Sequence, residues 1–232
     1  MQSTMLKDKT ALVTGSTSGI GLGIAKALAE QGANIVFNGF GDAAAIAALQ
    51  VEVSGRYGVQ TAYHDADMSK PAEIEAMMRF AADRFGAVDV LVNNAGIQHV
   101  ANIEDFPVEK WDAIIAINLC SAFHTTRFAL PPMKQRNWGR IINIASTHGL
   151  VASVQKSAYV AAKHGIVGFT KVTALETART GVTCNAICPG WTLTPLVQQQ
   201  IDARAQRDGI SNDAANQVRG AAWNMDGGWV AQ

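Results

Sequence analysis

The sequence alternates short apolar runs with longer stretches that suit an amphipathic helix, and this alternation restricts the fold more than any other feature. Short buried strands separated by helices form βαβ units, whose strands pair in parallel. The predicted strands are Ala11–Val13, Ile35–Phe37, Thr61–Tyr63, Val88–Val92, Arg140–Ile144, Val182–Ile187 and Ala221–Met225. The predicted helices are Ile20–Gln31, Ala43–Tyr57, Pro71–Phe85, Val108–Arg136 and Ser157–Arg179. The pattern predicts an α/β fold of Rossmann type: a doubly wound parallel sheet with helices on both faces.

Residues 1–232 are expected to form this single domain. No low-complexity linker, charge block or internal repeat divides the chain. Hydrophobic residues make up 48% and charged residues 16%, which is far from the composition of a disordered chain. The 19 basic residues balance the 19 acidic ones, so no net charge attracts nucleic acid or anionic lipid, and neither is predicted as a partner.

The sequence also predicts where the protein is located and whether its cysteines are oxidised. No apolar run approaches the roughly 20 residues that cross a bilayer, and the first residues contain no apolar core of a signal peptide. A cytoplasmic protein is therefore predicted. Cys184 and Cys188 would lie too far apart on one strand to form a disulfide, so we expect them and Cys120 to be reduced. No metal site is predicted.

A glycine-rich turn directly follows the first predicted strand and precedes the first predicted helix. Within Thr14–Gly21 the glycines follow the pattern G-x-x-x-G-x-G. Glycine lets the backbone approach a phosphate closely, and a helix N-terminus offers free amides and the positive end of its dipole. Because a tight structural turn would look the same, this segment indicates a dinucleotide site only in combination with other motifs.

The other motifs lie in the middle of the chain. Tyr159 and Lys163 are four residues apart on a predicted helix and so share one face. Ser146 and the segment Asn93–Gly96 each follow a predicted strand, and the carboxyl ends of parallel strands border the ligand crevice. Asn118 falls inside a predicted helix, where an amide that merely bends or hydrates the helix is the simpler interpretation.

In combination, these motifs resemble those of the short-chain dehydrogenase/reductase family. The resemblance runs from Lys9 to about Gln200 and again from Gln217 to the end of the chain. The matching positions are Thr14–Gly21, Asn93–Gly96, Asn118, Ser146, Tyr159, Lys163 and Pro189-Gly190.

The resemblance implies catalytic roles for four of these residues. Tyr159 would be the general acid/base, and Lys163 together with an oxidised nicotinamide would lower its pKa from about 10. Ser146 would hydrogen-bond the reacting oxygen. Asn118 would anchor a water molecule of the proton relay.

The resemblance also implies a dinucleotide site. The implied cofactor-binding residues are Gly15, Thr17, Ser18, Gly19, Ile20, Gly21, Phe40, Asp67, Asn94, Ala95, Gly96, Tyr159, Lys163, Pro189, Gly190 and Thr194. Asp67 resembles the family's acid that contacts the adenine amine, and its alternative role is that of an N-cap-type surface residue. The segment Asn38–Asp42 contains neither Lys nor Arg and Ser18 is neutral, so nothing there would neutralise the 2′-phosphate of NADP. NAD is the predicted cofactor, although the acid usual at this strand end is also missing.

Four polar residues near the predicted crevice suit a small anionic substrate: Gln98, His148, Lys156 and Gln200. One cation with several neutral donors matches a single carboxylate, although each residue taken singly suits an ordinary surface role. Residues 93–99, 144–153 and 188–191 resemble the bacterial D-3-hydroxybutyrate dehydrogenases, a group within the family in which these four positions bind the substrate carboxylate. The resemblance adds Trp191 as an apolar wall and Ser146 and Tyr159 as further substrate contacts.

The implied reaction is the reversible oxidation of (R)-3-hydroxybutyrate to acetoacetate. Two alternatives stay open, a reductase of other small alcohols or 3-oxoacyl thioesters and a dinucleotide-binding protein without turnover. The resemblance further implies a homodimer or homotetramer that assembles through the helix carrying Tyr159.

The segment at about 195–217 departs from the family pattern. Far fewer residues than usual separate Thr194 from Gly220, where the family has a mobile substrate lid and a further helix. The shortening reflects either a lid omitted from the sequence, which the intact motifs on both sides favour, or a real deletion. One short amphipathic helix is predicted here, from Leu196, Val197, Ile201 and Ala205.

Overall fold

The computed structural model describes residues 4–190, together with Gln198, Asp202, Ala205, Gln206 and Gly209. The predicted strand Ala221–Met225 and almost all of the shortened segment at 195–217 lie outside the described residues. The same holds for Trp191, Thr194 and Gln200, so the roles expected of them remain predictions.

Within the described residues, six strands form one parallel sheet. The strands are β1 (Thr10–Val13), β2 (Asn34–Asn38), β3 (Thr61–His64), β4 (Val90–Asn93), β5 (Gly139–Ile144) and β6 (Val182–Ile187). Their order across the sheet is β3-β2-β1-β4-β5-β6, and every pairing is parallel. The doubly wound fold is thus confirmed, and its strand order reverses between β1 and β4, where such folds bind ligands.

Helices cover both faces of the sheet. They are α1 (Gly19–Glu30), α2 (Ala43–Tyr57), α3 (Pro71–Phe85), α4 (Val108–Ile115), α5 (Ser121–Gln135) and α6 (Ser157–Thr177). Alternate residues of each strand point to opposite faces, so Leu12 and Leu91 pack with α3 and α5, while Val13 and Phe37 pack with α1 and α2. These two apolar clusters hold the strand ends in fixed positions.

The predicted helix Val108–Arg136 is not uniform. A π-helical segment, Ala116–Cys120, joins α4 to α5. Such a segment widens one turn, and it is common at functional sites. Asn118 lies in this wide turn and is 2% exposed, a placement that a helical period of 3.6 residues does not reveal.

By length and composition alone, one helix among the described residues is long and apolar enough to cross a bilayer. It is the continuous helix Val108–Gln135, whose sequence contains no unbroken apolar run of that length. Core helices of soluble proteins pass the same test. In this structure Ile114, Ala129 and Met133 of the helix are buried in the apolar clusters that join it to the sheet and to α6.

The three cysteines are thiols rather than disulfides, as expected. Cys184 and Cys188 are buried, and Cys120 is partly exposed. Burial raises the pKa of the Cys184 thiol to about 12, which keeps this sulfur protonated and unreactive.

Candidate active site

A cleft of about 460 Å³ opens at the carboxyl ends of the central strands. Most of the predicted site residues lie on its wall, although they come from distant parts of the sequence. The predicted residues that line it are Gly15, Thr17, Ser18, Gly19, Ile20, Phe40, Asp67, Asn94, Ala95, Gly96, Gln98, Ser146, His148, Lys156, Tyr159, Lys163, Pro189 and Gly190. Gly21 and Asn118 do not line the cleft, but each supports a loop that does.

The glycine-rich turn presents the N-terminus of α1 to the cleft. Gly15 and Gly19 have φ values of +61° and +58°, a region that side-chain-bearing residues rarely adopt. The N-cap residue Ser18 makes no side-chain hydrogen bond to the helix, and no acidic residue lies in the first helical turn. The free amides and positive dipole end of α1 are therefore available to an anion such as a pyrophosphate.

Gly21 supports this turn from the inside. A Cβ atom at this position would collide with the carbonyl oxygen of Gly15 and with Asn94 Nδ2. The third glycine of the motif thus allows α1 to pack closely against the turn.

Thr14 and Asn94 join the turn after β1 to the turn after β4. Thr14 Oγ1 accepts hydrogen bonds from the amides of Asn94 (2.9 Å) and Ala95 (3.0 Å). Asn94 Nδ2 donates to the carbonyl oxygens of Thr14 (2.9 Å) and Gly15 (3.0 Å). The two loops at the switch point therefore form one rigid unit.

Asn38, at the end of β2, is a structural residue that the sequence analysis did not single out. Its side chain accepts a hydrogen bond from the Gly15 amide (3.2 Å) and donates to the carbonyl oxygens of His64 (3.1 Å) and Ala66 (3.0 Å). A buried amide must find such partners, and Asn38 has no exposed surface. An asparagine that ends an apolar strand is the signal that would have identified it.

The loop after β2 forms the outer wall of the nucleotide side. Tyr63 Oη donates to the carbonyl oxygen of Gly39 (2.7 Å), and Thr17 Oγ1 donates to that of Phe40 (2.9 Å). The ring of Phe40 is largely exposed beside the cleft. Both hydrogen bonds fix the course of this loop.

Asp67 lines the cleft and also organises a turn, while its contact with the adenine amine remains a prediction. Its Oδ1 accepts hydrogen bonds from the amide (2.9 Å) and the hydroxyl (2.7 Å) of Ser69, which lower the pKa of Asp67.

Tyr159 and Lys163 lie one turn apart on α6, as their spacing predicts. Lys163 Nζ is 5.6 Å from the centroid of the Tyr159 ring and donates to the carbonyl oxygen of Ile144 (2.7 Å) at the end of β5. The pKa of Tyr159 is raised, because its burial outweighs the opposing hydrogen bond with Ser146. The expected lowering of this pKa requires an oxidised nicotinamide as well as Lys163, so it remains a prediction.

Lys163 is almost completely buried, with 4% exposure. Loss of hydration disfavours an ammonium ion, and burial lowers the pKa of Lys163 to about 8. Burial thus moves the pKa of this lysine toward neutral pH.

Ser146 and His148 stand beside Tyr159. Ser146 Oγ accepts a hydrogen bond from the His148 amide (3.1 Å), and the His148 and Tyr159 rings meet edge to face at 5.9 Å. His148 Nε2 lies 2.8 Å from Ser153 Oγ. Burial, followed by the charge of Lys156, lowers the pKa of His148, and burial also lowers that of Lys156.

Asn118 holds the loop that follows β4. Its Oδ1 accepts a hydrogen bond from the Ile97 amide (2.8 Å), and its Nδ2 donates to the Ile97 carbonyl oxygen (2.9 Å). The simpler interpretation, an amide that bends or hydrates its own helix, is wrong, because the side chain bonds to another segment. Its part in a proton relay remains a prediction.

Comparison with known proteins gives consistent matches over nearly the whole chain. A family model described as short chain dehydrogenase matches residues 9–205. The D-beta-hydroxybutyrate dehydrogenase of Cupriavidus necator is 68% identical over 260 aligned positions, which cover 98% of this chain and all of the relative. The enzyme of the same name from Rhizobium meliloti is 54% identical, with coverage of 97% and 99%.

A solved structure is also similar to this chain. The crystal structure of an actinorhodin polyketide ketoreductase variant with NADPH superimposes with a TM-score of 0.83 at 39% identity, covering 89% of this chain and 79% of that one.

The alignment with the Cupriavidus necator enzyme contains more positions than this chain has residues. Part of the relative's length therefore has no counterpart here, as a shortened segment would require. The position of that segment remains a prediction.

Proposed function

This chain belongs to the short chain dehydrogenase family, and on that premise we propose that it interconverts (R)-3-hydroxybutyrate and acetoacetate with NAD as cofactor. Two relatives that align along almost their whole length, at 68% and 54% identity, carry the name D-beta-hydroxybutyrate dehydrogenase. Identity at this level favours the same substrate over the alternatives of a thioester reductase or a binding protein without turnover.

One observation carries the proposal: a single cleft contains both a centre for proton transfer and donors for a carboxylate. The centre consists of Ser146, Tyr159 and Lys163. The donors among the described residues are Gln98, His148 and Lys156. A short hydroxy acid spans the distance between two such groups, because its hydroxyl and carboxylate are separated by two carbon atoms.

The glycine-rich turn fits the pyrophosphate of a dinucleotide. Gly15 and Gly19 have positive φ values, and α1 begins at Gly19 without a side-chain cap. The amides of this turn would hold the pyrophosphate, and Lys163 would hold the nicotinamide ribose. When bound, the nicotinamide supplies the hydride acceptor or donor of the reaction.

Tyr159 moves the proton of the substrate oxygen. In the oxidation, its phenolate oxygen accepts the hydroxyl proton, and in the reverse direction its phenol donates one. The Lys163 ammonium and an oxidised nicotinamide both favour the phenolate, and they must overcome the opposing effect of burial on the Tyr159 pKa. Ser146 donates a hydrogen bond to the substrate oxygen and stabilises its developing charge.

Lys156 and His148 bind the other end of the substrate. Both are partly buried, so a carboxylate beside them experiences weaker screening than on an open surface. The bound carboxylate favours the charged form of Lys156 and thereby opposes the effect of burial on its pKa. Gln98 adds a neutral donor on the facing wall.

Preference for NAD over NADP follows from the loop after β2. The segment Asn38–Asp42 contains no cation that would pair with a 2′-phosphate. The Asn38 amide group is engaged with the carbonyl oxygens of His64 and Ala66. The extra phosphate of NADP would therefore lose water without gaining a charged partner.

We extend the proposal to a cytoplasmic homodimer or homotetramer. Large apolar side chains are exposed on the outer faces of α5 and α6, including Phe123, Val172 and Leu175. Such a surface is typical of an interface between subunits.

An NADH absorbance assay tests the function. We expect oxidation of NADH with acetoacetate, much less with methyl acetoacetate, and little with NADPH in place of NADH. Equal rates with the acid and its ester would contradict the carboxylate site. A preference for a 3-oxoacyl thioester would favour the alternative reductase, and NADH binding without turnover of any of these compounds would favour the binding protein.

A further inference from the structure

We infer that Gln155 is a positioning residue that couples the two walls of the substrate end of the cleft. This inference rests on the proposed function. One wall is the loop after β4, which carries Gln98, and the other is the segment that leads into α6, which carries Lys156.

Gln155 makes two hydrogen bonds between these walls. Its carbonyl oxygen accepts from the Ala101 amide (3.1 Å), and its Nε2 donates to Asn102 Oδ1 (3.1 Å). Lys156 is the next residue in the chain and the N-cap of α6. The position of Lys156 is therefore tied directly to the facing loop.

The backbone of Gln155 has an unusual conformation. Its φ is +63°, in the left-handed region that favours glycine and asparagine over glutamine. The surrounding contacts must hold a glutamine there, and they include both of its hydrogen bonds to the facing loop. A conformation of this kind reverses the local chain direction just before Lys156.

The facing loop is held at two points, and Gln98 lies between them. Asn118 fixes Ile97 on one side, and Gln155 fixes Ala101 and Asn102 on the other. Between these points His99 also packs edge to face against Phe106, with ring centroids 5.4 Å apart. Loosening the contact at Gln155 would free one side of the loop.

The side-chain hydrogen bond between Gln155 and Asn102 is exposed to solvent. Exposed hydrogen bonds compete with water and add little to global stability. A loss of substrate binding without a loss of stability would therefore distinguish positioning from a purely structural role.

The test uses Gln155→Gly, Asn102→Ala and the double variant. Glycine tolerates the positive φ and removes the side-chain bond, while Asn102→Ala removes the same bond from the other partner. Asn137→Gly is the matched control: Asn137 also has a positive φ (+52°), and its Oδ1 accepts a hydrogen bond from the Gly181 amide (2.7 Å) far from the cleft. The measurements are KM and kcat for acetoacetate and for methyl acetoacetate, the dissociation constant for NADH, and Tm.

We expect each single variant to raise KM for acetoacetate about tenfold, the change that follows from loss of roughly 1.4 kcal/mol of binding. The double variant should lose no more than either single one, because both remove the same bond. The kcat, the NADH dissociation constant and the kinetics with methyl acetoacetate should change little. Asn137→Gly should leave every kinetic constant as in the unmodified protein.

Three results would overturn the inference: an unchanged KM in both single variants, equal losses for the acid and the ester, or additive losses in the double variant. Failure of the proposed function is recognised separately. In that case the unmodified protein itself does not distinguish acetoacetate from its methyl ester.

Discussion

Buried charges have partners at the amino ends of the sheet, whereas at the carboxyl ends burial shifts the pKa values of several titratable groups. At the amino ends, before β4, Asp89 is 7% exposed and its carboxylate is matched by two donors. Asp89 Oδ2 accepts from the Thr10 amide (3.0 Å), and Asp89 Oδ1 accepts from the Arg136 guanidinium (3.2 Å). The charge is compensated where it is buried.

Two further cations at this end of the sheet have an aromatic partner. The ring of Trp138 has Lys9 Nζ at 4.4 Å and the guanidinium carbon of Arg140 at 4.6 Å from its centroid. Cations at this distance are attracted by the electrons of the indole face. These contacts stabilise the amino ends of the sheet.

At the carboxyl ends, burial is the leading cause of the pKa shifts. This holds for His148, Lys156, Tyr159 and Lys163, which all line the cleft. Burial disfavours the charged form of each group, and for Lys163 it brings the pKa to about 8, within reach of proton exchange. The comparison teaches that one sheet can separate the residues that stabilise it from those that react.

The largest expected effect is the loss of turnover in Tyr159→Phe. Removing the hydroxyl removes the proton carrier, so we expect kcat to fall by about a thousandfold. NADH binding, followed by fluorescence titration, and Tm should stay close to those of the unmodified protein. Turnover near the normal rate would show that another group moves the proton.

Lys163 should make stability depend on pH. Its pKa is about 8 in the folded protein and near 10.5 when exposed, so between these values the unfolded chain binds more protons. The free energy of unfolding should therefore rise between pH 8 and pH 10.5, by up to about 3 kcal/mol. Urea unfolding of the native protein and of Lys163→Met isolates this change, since the variant lacks the titrating group. A constant difference between the two proteins across this range would contradict the lowered pKa.

Asp89→Ala tests the other end of the sheet. The variant leaves the buried Thr10 amide without its acceptor and Arg136 without its carboxylate, so the free energy of unfolding should fall by about 2 kcal/mol. The kcat with acetoacetate should not change. Asp89→Asn is the matched variant, which keeps an oxygen for the Thr10 amide and should lose less. A clear drop in kcat without a loss of stability would contradict the division between the two ends.

The smallest effect is expected from a pair of glycines on α1. Gly21→Ala places a methyl group against the Gly15 carbonyl oxygen and should weaken NADH binding by about tenfold, or roughly 1.4 kcal/mol. Gly23→Ala is the control, because apart from its chain neighbours and the backbone of its own helix no atom lies within 4 Å of the added Cβ atom. It should leave NADH binding unchanged and raise stability by about 0.5–1 kcal/mol. Similar NADH dissociation constants for the two variants would rule out a specific role for Gly21.

The parts of the site that could be predicted are those encoded by local spacing. Tyr159 and Lys163 share a helix face because they are four residues apart, and Ser146 lies in the cleft because it follows a strand of a parallel sheet. The alternation of strands and helices likewise predicts the doubly wound sheet. These inferences need only the period of each element and the direction of the chain.

The parts that could not be predicted depend on contacts between distant residues. Asn38 finds its partners 23 to 28 residues away. Its place at the end of an apolar strand marks it as a buried amide but does not tell which residues it bonds. The sign of the Tyr159 shift depends on how much protein surrounds the phenol, which the sequence does not reveal. The positive φ of Gln155 depends on the loop it faces, since glutamine has no preference for that conformation.

The π-helical segment at Ala116–Cys120 has a consequence for changes in chain length. Each residue of an α-helix advances the chain by about 100° around the axis, so deleting one residue here would turn α4 by that angle relative to α5. Ile114 would then leave its contacts with Ala158 and Ala162, or Thr125 would lose its 2.6 Å hydrogen bond to Asn93. Both halves of the helix keep their partners only while the surplus residue remains. The length of this segment is therefore constrained separately from the identity of its residues.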